Sequence, residues 1–203
     1  MTRTTPSADR IAELLVHVGR VCRNEDGTSD LTAAQWTCLR FFARANGSTR
    51  TPSAFASFQA TTRGTASQII KGLEGRGLIT RRRSETDRRS VRFDLTAAGL
   101  ACLAEDPLRD LIALIERLCA ADRAAFLETL SGLSSSLALI KGARAFGTCS
   151  DCTHFTPGDT SGYCACMAGE LGAGEIDQLC ASYAGKPARD ALQATRGHDD
   201  EPA

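Results

Sequence analysis

The sequence predicts a mainly α-helical fold with a small β-hairpin, followed by a cysteine-rich segment that has no helical pattern. Three observations support this prediction. Apolar residues recur at helical spacing through most of the first 145 residues. Two short runs of alternating character, 78–83 and 91–95, flank a charged stretch. Five of the nine cysteines lie between Cys149 and Cys180, with short and long gaps alternating.

The first two predicted helices are amphipathic. The first follows Ser7, a possible N-cap, and its apolar positions are Ile11, Leu14, Leu15, Val18 and Val21. The polar stretch 24–30 contains a glycine and is predicted to be a loop. Thr32 can cap a second helix that runs to about Ala45, because a threonine hydroxyl can accept a bond from a backbone N–H in the first turn.

A short helix, a tight turn and another helix are predicted next. Pro52 suits the first turn of a helix, where its missing N–H would have no partner in any case. Thr61 or Thr62 begins the following helix, which ends near Gly75 or Gly77. This is the plan of a helix-turn-helix, in which the second helix enters the major groove of DNA. The two alternating runs that follow predict a β-hairpin wing.

Long helices are predicted after the wing. Thr96 caps one helix, Pro107 bends or divides it, and a last helix spans about 121–145. The apolar positions of this last helix are Phe126, Leu127, Leu130, Leu133, Leu137 and Ile140. They exceed what a small winged helix can bury by itself. A dimer interface would cover them, and packing against the first helix is the alternative.

Charge is segregated along a chain that is neutral overall. Between Thr61 and Arg92 nine basic residues face three acidic ones, a local net charge of 9 − 3 = +6. From Gly147 to Ala203 nine acidic residues face three basic ones. A basic block in a neutral chain is typical of a surface that neutralises phosphates, with a solvated arginine face as the alternative.

Several classes of protein are disfavoured by the sequence. There is no signal-peptide pattern and no run of eighteen apolar residues, so we expect a cytoplasmic protein that does not enter a membrane. In a reducing cytosol, clustered cysteines favour metal ligation or redox sensing over disulfides. No nucleotide-binding glycine loop or catalytic triad accompanies them, so we do not expect an enzyme.

The part of the chain from about residue 7 to 145 resembles the MarR family of winged helix-turn-helix regulators. The most specific match is TDRRSVRFDLTAAG at 86–99, a wing leading into a Leu-Thr-x-x-Gly helix start, together with LTAAQW at 31–36 and TPS at 51–53. The resemblance implies a homodimer with long dimerisation helices, formed by the first and last helices. It also implies binding to a pseudo-palindromic operator in double-stranded DNA.

Candidate DNA contacts lie on the predicted recognition helix and the wing. The helix residues expected to contact bases or phosphates are Arg63, Thr65, Ser67, Gln68 and Lys71. Arg88 and Arg89 at the wing tip suit a narrow minor groove. Asp87 is predicted to orient one of these arginines rather than to bind DNA.

The cysteine-rich segment, 147–185, is predicted to be a small loop-rich metal-binding module. CSDCTHF at 149–155 and Cys166, thirteen residues and then CASY at 180–183 resemble the end of high-potential iron–sulfur proteins. That resemblance implies a [4Fe-4S] cluster with the ligands Cys149, Cys152, Cys166 and Cys180. Cys164 is an alternative third ligand. The shell expected around the cluster consists of Phe155, Tyr163, Met167, Leu179 and Tyr183.

Two functional hypotheses follow. The first is a homodimeric regulator, a repressor, comprising a DNA-binding and dimerisation domain (1–146), an iron–sulfur module (147–185) that senses redox, oxygen or iron status, and a disordered tail (186–203). The alternative is a MarR-type regulator in which zinc, bound by thiolates, fixes the tail as a docking module and a small molecule is the signal.

Overall fold

A computed structural model describes residues 7–22, 30–83 and 91–185. The chain divides into two compact units. The helical unit contains the residues up to Arg44 and Arg50–Ala124, and the cysteine unit contains Ala45–Thr49 and the residues from Ala125 onward. This division falls inside the last long helix, whereas the sequence placed a boundary at residue 147.

The helical unit has the predicted order of helices and hairpin. Its elements are α1 (Ala8–Val21), α2 (Ala33–Arg44), α3 (Pro52–Phe58), α4 (Arg63–Gly75), β1 (Ile79–Arg83), β2 (Val91–Leu95), α5 (Ala97–Leu103), α6 (Arg109–Glu116) and the start of α7 (Ala120–Ile140). The expectation of a mainly helical fold with a small antiparallel sheet is confirmed. Pro107 lies between α5 and α6, so the predicted division of that helix is confirmed as well.

Threonine caps set the starts of α3, α4 and α5. The hydroxyl of Thr51 accepts from the N–H of Ala54, that of Thr62 from Thr65 and that of Thr96 from Gly99. Each bond satisfies a donor that the first turn of a helix leaves without a backbone partner. The start of α1 differs, because the side chain of Ser7 makes no capping bond.

An aromatic cluster forms the core of the helical unit. Phe41 and Phe42 on α2 meet Phe55 of α3, with Phe41 and Phe55 ring centroids 5.5 Å apart. On the wing side Phe42 lies 5.6 Å from Phe93 of β2, between ring centroids. Tilted and edge contacts of this kind stabilise a core beyond the area that they bury. The cluster therefore joins α2, the helix-turn-helix and the wing into one body.

The base of the wing is packed tightly against α5. Strands β1 and β2 are antiparallel and pair Ile79 with Leu95. The N–H of Thr96 donates to the backbone oxygen of Leu78 at 3.1 Å. A Cβ atom at Gly99 would collide with that same oxygen, so only glycine fits at this position.

Large apolar side chains remain exposed on the outer helices. No residue of α1 or α6 is buried. The exposed side chains on these helices and on α7 include Ile11, Leu14, Leu15, Val18, Ile112, Leu114, Phe126, Leu127, Leu133, Leu137 and Ile140. Exposed apolar side chains in such number on these helices are typical of interaction surfaces.

The cysteine unit contains a sheet that the sequence did not predict. After α7 come a 3₁₀ turn (Cys149–Asp151), β3 (Phe155–Pro157), β4 (Ser161–Cys164), β5 (Gly169–Gly172) and the short helix α8 (Ala173–Ile176). The three strands are antiparallel in the order β3-β4-β5. The expectation that this segment is loop-rich needs this correction, because strands of three or four residues rich in glycine are too short to show alternation.

The last long helix ends earlier than expected. It stops at Ile140 instead of about residue 145, and Gly142 follows with a φ of 58°. A glycine in the left-handed region is a common end of a helix. Among the described residues, no helix is both long and apolar enough to cross a membrane. The predicted tail, 186–203, lies outside the described residues.

Candidate DNA-binding surface and cysteine cluster

Helices α3 and α4 form a helix-turn-helix through a compact turn. The N–H of Ala60 donates to the backbone oxygen of Ser57 at 3.1 Å, and that of Thr61 donates to Ala56 at 3.0 Å. Ala60 adopts a φ of 51°, which reverses the chain between the two helices. The turn therefore fixes the direction in which α4 leaves α3.

The two faces of α4 differ in burial. Ala66, Ile70 and Leu73 are buried and hold the helix to the core. The opposite face carries the predicted DNA contacts. Of these, Arg63, Thr65, Gln68 and Lys71 are exposed, whereas Ser67 is half-buried. A rigid helix that presents arginine, glutamine and lysine to solvent suits the reading of base edges and phosphates.

Thr65 has a structural role that the sequence did not indicate. Its hydroxyl lies 2.9 Å from the hydroxyl of Thr62, and its N–H donates to that same hydroxyl at 3.1 Å. Thr65 therefore belongs to the cap of α4. Its side chain is exposed, so a phosphate contact would extend this hydrogen-bonded pair.

An arginine–aspartate–arginine arrangement links the wing to the start of α3. Oδ1 of Asp94 lies 2.8 Å from Nη1 of Arg50, and Oδ2 lies 2.9 Å from Nε of Arg82. The N–H of Phe93 also donates to the backbone oxygen of Arg50 at 3.0 Å. Sequence reasoning missed Arg50 and Asp94, although an aspartate in a basic hairpin is a signal that could have revealed the pairing.

The wing tip lies outside the described residues. It includes three of the predicted site residues, Asp87, Arg88 and Arg89. Arg82 is drawn into an ion pair instead of extending freely, and Arg81 is exposed on β1. The structure thus supports a basic wing base, and the roles assigned to the tip stay predictions.

Four of the five clustered cysteines are buried. Cys149 and Cys152 are each 6% exposed, Cys164 is 7% exposed and Cys180 is 9% exposed. Cys166, which the iron–sulfur resemblance implied as the third ligand, is exposed, and all five thiols are free. Cys164 ends β4, whereas Cys166 follows it in the turn toward β5. The alternative third ligand is therefore the one that the fold places inside.

Backbone bonds bring the turn of Cys149 together with the end of the segment. The N–H of Cys180 donates to the backbone oxygen of Gly147 at 2.9 Å. Cys152 forms an antiparallel bridge with Gly185, and the N–H of Cys152 donates to the oxygen of Cys149 at 3.1 Å. Two of the four buried cysteines thus lie in one turn, and a third is hydrogen-bonded beside it.

The other three buried thiols affect the pKa of Cys149. Burial raises the pKa of Cys149 to about 11, and Cys180, Cys152 and Cys164 add to the increase, as does Asp177. Like charges close together disfavour ionisation, and a cation would remove this repulsion. Cys166 is not among the groups that raise this pKa.

The donor set fits a thiolate-bound metal, although the thiols are not assembled around one. Four buried cysteines match the ligand chemistry of iron–sulfur clusters and of structural zinc. As the side chains stand, the part of the chain that the structure describes holds no group of three or more His, Cys, Asp or Glu that could bind a metal ion. The thiols are therefore near enough to raise the pKa of Cys149, but in this arrangement they are not close enough to share a metal.

The predicted shell is only partly present. Tyr163 and Met167 are 46% and 49% exposed, so neither shields the thiols. Phe155 packs against Gly162, where a Cβ atom would collide with its ring. Tyr183 is half-buried and bonds through its side chain to Ser135 of α7, and burial raises its pKa. Small neighbours of the rings, which spacing alone does not reveal, decide which aromatic residues turn inward.

The comparisons with known proteins each cover part of the chain. Residues 29–90 match a family model described as MarR family. The solved structure of S. aureus MepR in DNA-binding conformation is 20% identical, with a TM-score of 0.55, and the match covers 65% of this chain and 99% of that chain. At this identity it shows the fold alone. A comparison with curated proteins gave no match.

Other solved structures match over a similar range. The transcriptional regulator BldR from Sulfolobus solfataricus is 23% identical, and the match covers 64% of this chain and 91% of that chain with a TM-score of 0.48. An S. aureus MepR–DNA complex is 18% identical, with coverage of 65% and 99% and a TM-score of 0.49.

Proposed function

We propose that the chain, whose residues 29–90 match the MarR family, is a homodimeric DNA-binding transcription regulator that acts as a repressor. The observation that carries the proposal is the division of α4, in which one face is buried and the opposite face presents Arg63, Gln68 and Lys71 to solvent. Such a helix can enter the major groove without losing its contacts to the core. The matched family comprises regulators rather than enzymes.

The second copy of the chain is the occupant proposed for the exposed apolar faces. Leu14, Val18 and Ile11 on α1 are each at least 40% exposed, and Leu127 and Leu137 on α7 exceed 50%. Two copies related by a two-fold axis would bury these faces and place two copies of α4 at successive turns of the duplex. A pseudo-palindromic operator is the DNA counterpart of that symmetry.

Operator selection from random DNA followed by titrations tests the DNA-binding part. Gln68→Ala should weaken binding to the selected site and relax its sequence preference, since a bidentate base contact discriminates by roughly 1–3 kcal/mol. Lys71→Ala should weaken binding to all sequences and flatten the dependence of affinity on salt. Lys141→Ala, an exposed lysine after α7, is the matched control and should change neither. Equal salt slopes for all three proteins would contradict the proposed surface.

For the cysteine unit we propose an iron–sulfur cluster, a [4Fe-4S] cluster, held by Cys149, Cys152, Cys164 and Cys180. The support is the shared burial of these four thiols and the effect of the other three on the pKa of Cys149. When bound, such a cluster supplies one-electron redox chemistry and sensitivity to oxygen. The chain contributes the thiolates, and a small sheet holds one of them, Cys164, opposite Phe155.

We propose that the module reports redox, oxygen or iron status to the DNA-binding helices. The alternative of a structural zinc module is favoured by one observation, the weak shell in which Tyr163 and Met167 are exposed. Zinc requires only a tetrahedron of thiolates, whereas the potential of a cluster depends on its exclusion from water. In the zinc case the physiological signal would be a small molecule bound by the helical unit.

Spectroscopy and metal analysis on protein purified without oxygen test the metal. A brown protein with broad visible absorption and equal iron and sulfide is expected, and both are lost in a Cys149→Ala, Cys180→Ala variant. The control is Cys22→Ala, Cys119→Ala, which removes two thiols outside the cluster. Colourless protein with one equivalent of zinc would establish the structural alternative, and operator affinity that does not depend on the metal would end the sensing proposal.

A further inference from the structure

Residues Ala45–Thr49 connect α2 to α3, yet they belong to the cysteine unit and not to the helical unit that surrounds them in sequence. Ala45 forms a parallel bridge with Leu179, and the N–H of Asn46 donates to the backbone oxygen of Leu179 at 3.0 Å. The N–H of Ala181 donates to the hydroxyl of Thr49 at 2.8 Å. The segment therefore binds the backbone on both sides of Cys180.

Cys180 is fixed from two directions. Its neighbours Leu179 and Ala181 bond to the 45–49 segment, and its own N–H donates to Gly147, two residues before Cys149. Any movement of the Cys180 backbone that brings its thiol toward Cys149 must pull on these bonds or break them.

Thr49 is suited to transmit such a movement. It is 1% exposed, and its N–H is held by Asn46, through the side-chain Oδ1 at 2.9 Å and the backbone oxygen at 3.0 Å. Ser48 donates to the same Oδ1 at 2.9 Å. The turn is thus braced from within, so a displacement at Thr49 moves the segment as a body. A buried hydroxyl that loses its hydrogen-bond partner destabilises the fold, so the bond between Thr49 and Ala181 acts as a constraint on the segment.

The next two residues hold the DNA-binding elements. Arg50 accepts from Phe93 and pairs with Asp94 on the wing, and Thr51 caps α3. Arg50, the residue after Thr49, is therefore bonded to β2 of the wing, and α3 begins at Pro52. The chain itself joins Thr49 to both elements.

We propose that Thr49 is a positioning residue that couples the state of Cys180 to the start of α3 and to the wing. This inference rests on the proposed metal site and names the route by which its occupancy reaches DNA. Drawing Cys180 toward the other thiols shifts the Leu179–Ala181 backbone, the bond to Thr49 carries the shift to the 45–49 segment, and Arg50 and Thr51 pass it to β2 and α3.

Hydrogen–deuterium exchange on the full-length protein tests the coupling without relying on operator binding. Amide exchange in peptides that cover 45–58 is compared for protein reconstituted with iron and sulfide, protein loaded with zinc, and protein stripped with a chelator. In wild type we expect amide exchange in these peptides to be at least threefold slower in protein loaded with the metal that it binds than in protein stripped with a chelator. In Thr49→Val, which removes the acceptor and keeps the shape, that difference should disappear while metal content is retained.

Two variants separate a specific coupling from damage to the fold. Thr49→Ser keeps the hydroxyl and should restore the metal-dependent difference. Thr156→Val makes the same chemical change at an exposed threonine of β3 and should behave as wild type. An exchange difference in 45–58 that persists in Thr49→Val, or that is absent from metal-loaded wild type, would overturn the inference.

Operator titrations with the same samples keep the two proposals apart. Metal-dependent exchange without metal-dependent affinity would leave the coupling in place and remove the sensing function. Metal-dependent affinity with unchanged exchange in 45–58 would support the sensing function and overturn the coupling through Thr49, because the signal would then reach DNA by another route. A protein that binds neither iron–sulfide nor zinc would overturn both.

Discussion

At the scale of single residues, the cysteines show what spacing can and cannot predict. The pair Cys149 and Cys152 and the distant Cys180 were identified from the sequence, and all three are buried. The third position was predicted to be Cys166 with Cys164 as the alternative, because residues two apart would point to the same side of a strand and spacing does not distinguish them. The register of β4 with β3 and β5, a non-local property, places Cys164 inside.

Serine substitutions at these two positions give opposite results if the proposed ligand set is correct. Cys164→Ser should lower the metal content of purified protein severalfold and lower its thermal stability, because metal binding and folding are coupled in a small module. Cys166→Ser should leave both unchanged. Metal content by elemental analysis and melting temperature are the measurements. Loss of metal in Cys166→Ser alone would restore the ligand set implied by the resemblance to high-potential iron–sulfur proteins.

The thiol of Cys38, which is buried on α2, should be unreactive, and its contribution to stability should depend on pH. Burial raises its pKa well above the ordinary value of 9.0. Its neutral thiol therefore contributes stability that is fully present below that ordinary value and is lost as the pH rises above it. Native protein treated with iodoacetamide at pH 8 should carry label at exposed Cys119 and at least tenfold less at Cys38, as measured by mass spectrometry. Equal labelling would show that α2 opens readily.

At the scale of elements, local signals predicted the helices well and the small sheet poorly. Proline at the start of α3 and threonine at the starts of α4 and α5 mark physical requirements of a helix end, so their positions agree with the structure within a residue or two. Strands β3 to β5 carry no comparable signal. They are defined by pairing with one another, and β4 is stabilised by the contact of Phe155 with Gly162 across the sheet.

The contact of Gly99 with Leu78 predicts which glycine tolerates a methyl group. Gly99→Ala should destabilise the helical unit by about 1–3 kcal/mol, because the added Cβ meets backbone oxygen that cannot rotate away. Gly132→Ala, inside α7 with no atom within 4 Å of the added Cβ, should instead raise stability by up to about 1 kcal/mol. Urea denaturation of both variants measures the difference, and a Gly99→Ala protein as stable as wild type would contradict the packing at the base of the wing.

At the scale of the whole molecule, the sequence predicted the candidate DNA-binding surface and the surplus of exposed apolar side chains, because each is a property of many residues together. It missed that Ala45–Thr49 belongs to the cysteine unit. Contacts such as that of Thr49 with Ala181, separated by 132 positions, leave no periodic trace in a single sequence. A domain that is predicted as one continuous range of residues cannot include a separate segment such as 45–49.

The exposed apolar face of α1 predicts the assembly state. Replacing Leu14 and Val18 by Glu should convert a dimer to a monomer, because four charges would have to be buried at the shared interface. Operator affinity should fall at least tenfold, since each monomer then binds a half-site alone. Light scattering and DNA titration measure the two effects. A variant that stays dimeric at micromolar concentration would locate the interface elsewhere, and Glu13→Gln on the same helix is the control.

The contacts of residues 45–49 also imply an order of folding events during synthesis of the chain. A ribosome releases this segment long before Leu179 and Ala181 exist, so the turn between α2 and α3 must wait for its partners while the helices on either side have already formed. Closing so long a loop is slow, because the entropy of loop closure is lost before the contacts form. We therefore expect each newly made chain to pass through a stage in which the helices are formed and the 45–49 turn is still open, so that the cysteine unit folds last.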